Sequence, residues 1–213
     1  MGVIENMEYK AIDLGLPSGR LWADKNVGAE KETDYGLYFQ WGDAVGYADA
    51  SHSTWETCPG NGGNSSYNAK SIDAWDAENL KSVTGMGYVT EILKPKVDAA
   101  TVNMGSKWRM PTIDDWVELF ENTNYEVAEI DGIKGGIFIN KAAASKYIFL
   151  PFAGSAAEGS FEGQGVEGGV WSSSVSSDTP ENACHMLADE LGCGGYAVYR
   201  YFALSVRGVC EKQ

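Results

Sequence analysis

Cys184 and His185 stand side by side, and a thiol beside an imidazole is the pairing from which a nucleophilic dyad is built. In a strand, however, consecutive side chains point to opposite faces, so adjacency works against a hydrogen bond between the two. Cys184 and Cys193 are nine residues apart and could meet across a hairpin. The chain holds 4 cysteines (Cys58, Cys184, Cys193, Cys210) and 2 histidines, His52 and His185, with no Cys-x-x-Cys pair, so no metal site and no cofactor are expected. Ser172-Ser173-Ser174 lacks the Gly-x-Ser-x-Gly elbow of a serine nucleophile and suits hydrogen bonding at a strand end. Gly163-Gln164-Gly165-Val166-Glu167-Gly168 has the spacing of a dinucleotide fingerprint, but strand-like Gly169-Val170-Trp171-Ser172 follows where a helix N-terminus would have to, so a loop is expected. Asp114 and Asp115 form a carboxylate pair at a helix start, where capping and the helix dipole account for them. Asn64-Ser65-Ser66 spells a glycosylation sequon with no secretion signal to support it.

The frame that positions these groups is bounded by composition. The 213 residues suit a single domain over 1–213, and 44% apolar with 12% aromatic residues supply a core without disulfides. The 16 basic against 30 acidic residues give a net charge of −14, which excludes a general basic surface for nucleic acid. No apolar run approaches a membrane span, and the start MGVIENMEYK has neither the basic nor the apolar region of a signal peptide.

Glycine outnumbers proline 26 to 6 and long helical periodicity is scarce, which favours short strands and many turns. The clearest helix runs from Thr112 to Phe120, with Thr112 as N-cap, an acid three residues later, and Trp116, Leu119 and Phe120 on one face. A second is expected over Pro95 to Val102. Asp131-Gly132 between Tyr125–Ile130 and Ile133–Ile139 predicts a hairpin. Strands are expected at Lys146 to Leu150, at Val170 to Ser174 and around Leu204, Val206 and Val209. Residues 43–80 contain Gly60 to Ser66 and lose apolar periodicity, so a long surface insertion is expected, held to the body by Trp55, Tyr67 and Trp75. Two helices among many strands give the expectation of an α+β fold.

The segment from Asn182 to Tyr201 mixes Cys, His, Leu, Gly and three Tyr with no alternation. Tyrosines that a core does not need supply stiff, amphipathic contact area, as in antibody loops. The competing reading is an ordinary, poorly patterned pair of strands.

Several blocks then fall into a familiar order. Ile12-Asp13-Leu14-Gly15-Leu16-Pro17-Ser18-Gly19-Arg20-Leu21-Trp22-Ala23, Tyr35-Gly36-Leu37-Tyr38-Phe39-Gln40-Trp41-Gly42, Trp108-Arg109-Met110-Pro111-Thr112, Ile148-Phe149-Leu150-Pro151, Trp171-Ser172-Ser173-Ser174 and Leu204-Ser205-Val206-Arg207 resemble the Bacteroides and phage proteins grouped as the Fibrobacter succinogenes major paralogous domain. The resemblance covers nearly the whole chain outside 43–80. It implies a C-type lectin-like fold, with two helices, short antiparallel strands and long loops. It also implies a variable protein of a diversity-generating retroelement, in which adenine-directed mutagenesis rewrites codons within 171–207.

By register with that pattern, the diversified, ligand-binding positions are Asn182, Cys184, His185, Leu187, Gly194, Tyr196, Ala197, Tyr199 and Tyr201, each encodable by a codon ending in pyrimidine. Ala183, Met186, Arg200, Phe202 and Val206 are the implied scaffold. Ala188, Ala203 and Gly208 depart from the family's usual aromatic, Gly and Pro, and the calcium motifs of sugar-binding lectins are missing. The function implied is non-catalytic binding of a protein or glycan on a target surface, with display on a phage particle or cell surface. The alternatives are an adhesin or pilus-tip domain with a fixed ligand, and an oxidase similar to the formylglycine-generating enzymes.

Overall fold

Asp131 and Gly132 take φ values of 52° and 77°, the left-handed pair that turns one strand back on the next without splaying them. In the computed structural model, which describes residues 7–59, 75–82, 89–176 and 181–212, this turn joins β6 (Thr123–Ile130) to β7 (Ile133–Asn140), paired from Thr123↔Asn140 to Ile130↔Ile133. Strand β8 (Tyr147–Pro151) pairs with β7 and completes a three-stranded sheet. A second such sheet has the order β1 (Ala11–Asp13), β2 (Leu21–Asn26), β15 (Arg207–Cys210).

The largest sheet carries the rest of the strands. Its main path runs β10 (Ser160–Glu162), β9 (Ser155–Ala157), β14 (Ala203–Ser205), β11 (Gly168–Ser176), β12 (Asn182–Asp189), β13 (Gly192–Tyr199). Strand β3 (Tyr38–Gln40) pairs with β14, β5 (Val89–Leu93) with β11, and β4 (Trp75–Ser82) with β5. A 3-10 turn at Pro95–Val97 leads to α1 (Ala99–Met104), and α2 (Ile113–Asn122) follows.

The expected α+β, C-type lectin-like layout of two helices with short strands and long loops is therefore corrected. Among the described residues strand takes 45% and helix 11%, and the three sheets, one of them a curled half-barrel, make the architecture mostly β. The physical reason is that the strands are longer than the glycine-punctuated sequence implied: β6, β7, β12 and β13 each run eight residues, and β11 nine. Trp75–Ser82, which begins inside the expected insertion and runs past its end, is also a strand. The sequon at Asn64, the run from Gly60 to Ser66 and Tyr67 lie outside the described residues.

Helix α2 forms where its cap places it. The Thr112 hydroxyl accepts from the Asp115 N–H while the Asp115 carboxylate accepts from the Thr112 N–H at 2.7 Å, a reciprocal capping box. The same carboxylate takes Arg109 at 2.7 Å and Arg20 at 3.1 Å, so Asp115 joins three segments of chain. Ile113, Trp116 and Leu119 turn inward, with Trp116 4.5 Å from Trp22 ring to ring. The serine run is structural: β11 shifts register between Trp171 and Val175, which frees Ser174 Oγ to accept from the Ile113 N–H and Ser173 N–H to donate to the Pro111 carbonyl at 2.7 Å. These bonds fasten the helix start to the large sheet.

Two apolar clusters flank β11 and β12. One gathers Trp22, Trp116, Phe138, Cys184 and Met186 under α2; the other gathers Phe39, Trp41, Trp171, Ala183 and Val206. Arg207 is fully buried beside them and spends its fork on three acceptors: Asn26 Oδ1 at 2.9 Å, Ala23 O at 2.9 Å and Phe149 O at 2.8 Å. One guanidinium thus connects β15, β2 and β8.

Candidate binding surface

The segment from Asn182 to Tyr199 is one antiparallel hairpin, paired from Asn182↔Tyr199 to Asp189↔Gly192. At its tip the Asp189 carboxylate accepts from the Leu191 and Gly192 N–H groups at 2.7 and 3.1 Å, and Leu191 itself is fully solvated. Directly paired residues share a face. Ala183, His185 and Leu187 therefore lie with Val198, Tyr196 and Gly194, while Asn182, Cys184, Met186 and Ala188 lie with Tyr199, Ala197, Gly195 and Cys193. The second face is turned to α2, with Cys184, Met186 and Ala188 in the cluster beneath it.

That arrangement sorts the nine sequence-derived positions. Tyr196, Ala197 and Tyr199 are exposed on β13; Asn182, Leu187, Gly194 and Tyr201 are half-buried; Cys184 and His185 are buried. Cys184 belongs to the core, so its side chain does not reach a surface ligand. The scaffold positions are sharply different: Ala183, Met186, Arg200 and Val206 are each 0% exposed, while Phe202 is half-buried. Arg200 lies 5.4 Å over the Trp41 ring. Ala188 and Ala203 are each buried, and a Cβ on Gly208 would meet Met104 Sδ at 2.6 Å.

The three tyrosines do not form one patch. Tyr199 and Tyr201 stack at 5.7 Å, and Trp55 joins them at 5.8 and 4.8 Å. Tyr196 stands apart, 6.2 Å from the His185 ring, which in turn meets Trp171 edge-on at 6.1 Å. Trp55 is a surface residue that the register with the family pattern leaves out; its signal is an isolated aromatic in a stretch without apolar periodicity. Buried Gln40 holds it in place, because its amide donates to Thr54 O at 2.9 Å and to Tyr201 O at 2.8 Å, tying the Trp55 loop to the end of the hairpin.

The thiol chemistry does not assemble. Cys184 faces Ala197 and Cys193 faces Ala188, so the two sulfur-bearing positions are four residues out of register, about 13 Å along the strands. Both are free cysteines, and burial pushes the Cys184 thiol up to about 12 and the Cys193 thiol to about 11, which keeps them protonated at neutral pH. Burial also lowers His185 to about 4, so its ring is neutral. Gly163, Gly165 and Gly168 lie in and after the loop between β10 and β11, and β11 begins where a phosphate-binding helix would have to start. Among the described residues no three His, Cys, Asp or Glu side chains are grouped to hold a metal ion.

No protein-family model matches the chain, and no curated protein and no solved structure matches it.

Proposed function

We propose that this chain is a non-catalytic binding protein, a variable protein of a diversity-generating retroelement, whose ligand meets the β12–β13 hairpin and the aromatic group at its end. One observation carries the reading. Seven of the nine positions that the family pattern marks for change reach the surface at least in part, whereas four of the five marked as scaffold are wholly inside. Replacing surface side chains leaves a fold nearly unaffected, while replacing core ones does not. Tyr199, Tyr201 and Trp55 supply the stiff aromatic area that dominates binding energy at protein interfaces. Display on a phage particle or a cell surface completes the proposal, with a protein or glycan as the target.

The test is population sequencing of the gene with its flanking DNA. A nearby reverse-transcriptase gene and an imperfect repeat of the codons for 171–207 are expected, with adenine-derived changes gathered at Asn182, Leu187, Gly194, Tyr196, Ala197, Tyr199 and Tyr201. Changes at Arg200 or Val206 as frequent as those at Tyr196, or no repeat at all, would defeat it. At the protein level, Tyr196→Ser with Tyr199→Ser is expected to change the unfolding free energy measured by urea denaturation by no more than about 0.5 kcal/mol.

A further inference from the structure

Tyr199 and Tyr201 stack 17° from parallel with ring centres 5.7 Å apart, and the Trp55 ring closes on Tyr201 at 4.8 Å. Rings this close leave no gap for a guest between them, so a ligand has to lie on their outer faces. Tyr199 is 48% exposed and offers such a face. The neighbouring turn between β9 and β10 is fastened to the Trp55 loop, because the Glu158 and Gly159 N–H groups donate to Ser53 O and Ser53 Oγ, each at 2.9 Å. That turn brings a carboxylate to the rings. The Tyr201 hydroxyl is raised above its ordinary pKa by burial first and then by the Glu158 carboxylate, with Glu162 adding to it.

Glu158 and Glu162 are exposed, and among the described residues neither forms an ion pair with a lysine or arginine. Arg200, next to Tyr201 in the chain, is turned inward over Trp41. Ring faces carry the negative end of the aromatic quadrupole, so the rings and the carboxylates attract the same kind of charge. An anion is repelled by both, and the net charge of −14 repels it further while drawing in a basic partner. A neutral sugar can lie on the same faces but gains nothing from the charge beside them. Among cations, an ammonium does best inside a cage of rings, which this close-packed open group does not form. A guanidinium is flat: it lies on a ring face and turns its fork of N–H donors to a carboxylate at the rim.

We propose that Trp55, Tyr199 and Tyr201, with Glu158 beside them, form a platform for an arginine side chain of the partner protein, its guanidinium on the tyrosine rings and its fork on the Glu158 carboxylate. The proposal deepens the binding reading above and rests on it. Tyr199 and Tyr201 lie within 171–207, where codons are proposed to be rewritten, whereas Trp55, Glu158 and Glu162 lie outside it. The fixed half of the platform therefore keeps a preference for basic targets while the other half changes.

The test uses N-acetyl-argininamide, its neutral near-isostere N-acetyl-citrullinamide, N-acetyl-lysinamide and methyl glucoside as probes, followed through the ring NMR signals of Tyr199 and Tyr201. Saturable shifts are expected with the arginine probe, and the citrulline probe should bind about tenfold more weakly, the worth of one charge-assisted hydrogen bond. Glu158→Gln, at an exposed position and with the side-chain length kept, should remove most of that difference without moving the melting temperature. The comparison of arginine with citrulline in the unaltered protein needs no variant, so it stands even if E158Q folds poorly. Equal affinities there, no ring shifts with any probe, or tighter binding of the glucoside would overturn the proposal. Lysine binding as tightly as arginine would overturn the assignment to a guanidinium. Failure of the arginine probe alongside population changes at the positions above would sink the platform alone, whereas an invariant population with the arginine preference intact would remove only the reading beneath it.

Discussion

Arg207→Ala is expected to destabilise the protein by at least about 4 kcal/mol, a large part of the roughly 5–15 kcal/mol that holds a domain together. The side chain is fully buried and each arm of its guanidinium is committed, to Asn26 Oδ1, Ala23 O and Phe149 O. Truncation leaves two backbone carbonyls and an amide oxygen without a donor, in a hollow the size of the lost side chain. Burial lowers the Arg207 pKa to about 9, which still leaves it charged at neutral pH. Arg207→Lys keeps a cation but loses the fork, so it should fall between the two. Urea denaturation of the three proteins checks this, and an unchanged midpoint for R207A would show that the three bonds contribute nothing net.

A second large effect belongs to acid conditions. The ordinary pKa of His185 is 6.5 and burial lowers it to about 4 in the folded protein. Between those values the unfolded chain binds a proton that the folded one refuses. The contribution is therefore complete above pH 6.5 and is lost progressively as the pH falls towards 4. At roughly 1.4 kcal/mol per pH unit the loss totals about 3 kcal/mol. His185→Leu removes this component while other titrating groups stay as they are. Comparing both proteins at about pH 7 and about pH 4.5 should show the unaltered protein losing roughly 2.5 kcal/mol more than the variant. Parallel pH profiles would mean that the imidazole is solvated when protonated.

Local signals in the sequence were sound where the chain closes its own hydrogen bonds. Thr112 with Asp115, and Asp131 with Gly132, specify a helix start and a hairpin turn through neighbours only, and both form as expected. The second helix, expected from Pro95 to Val102, forms at Ala99–Met104 because Asp98 caps it, its carboxylate accepting from the Thr101 N–H at 2.8 Å. The mostly β class is not legible in the sequence because β12 lies between β11 and β13 and buries both faces, which erases the alternation that betrays a strand. For the same reason Cys184 and His185 looked like surface variety although Ala183, Cys184, His185 and Met186 are all inside. The grouping of Trp55 with Glu158 and Tyr201 has no linear signature at all, since the three come from distant stretches of chain that only the folded sheet brings together.

Strand β13 ends its row, with β12 its sole hydrogen-bonded neighbour among the described strands, whereas β12 is gripped from both sides. An exchange on the outer strand disturbs one adjoining ladder; an exchange on the inner one disturbs two and the core behind them. Under the diversification proposed above, folded offspring would thus come from most draws at the rim and from few in the row behind it, so the usable repertoire would be set less by how many codons change than by which strand they fall on.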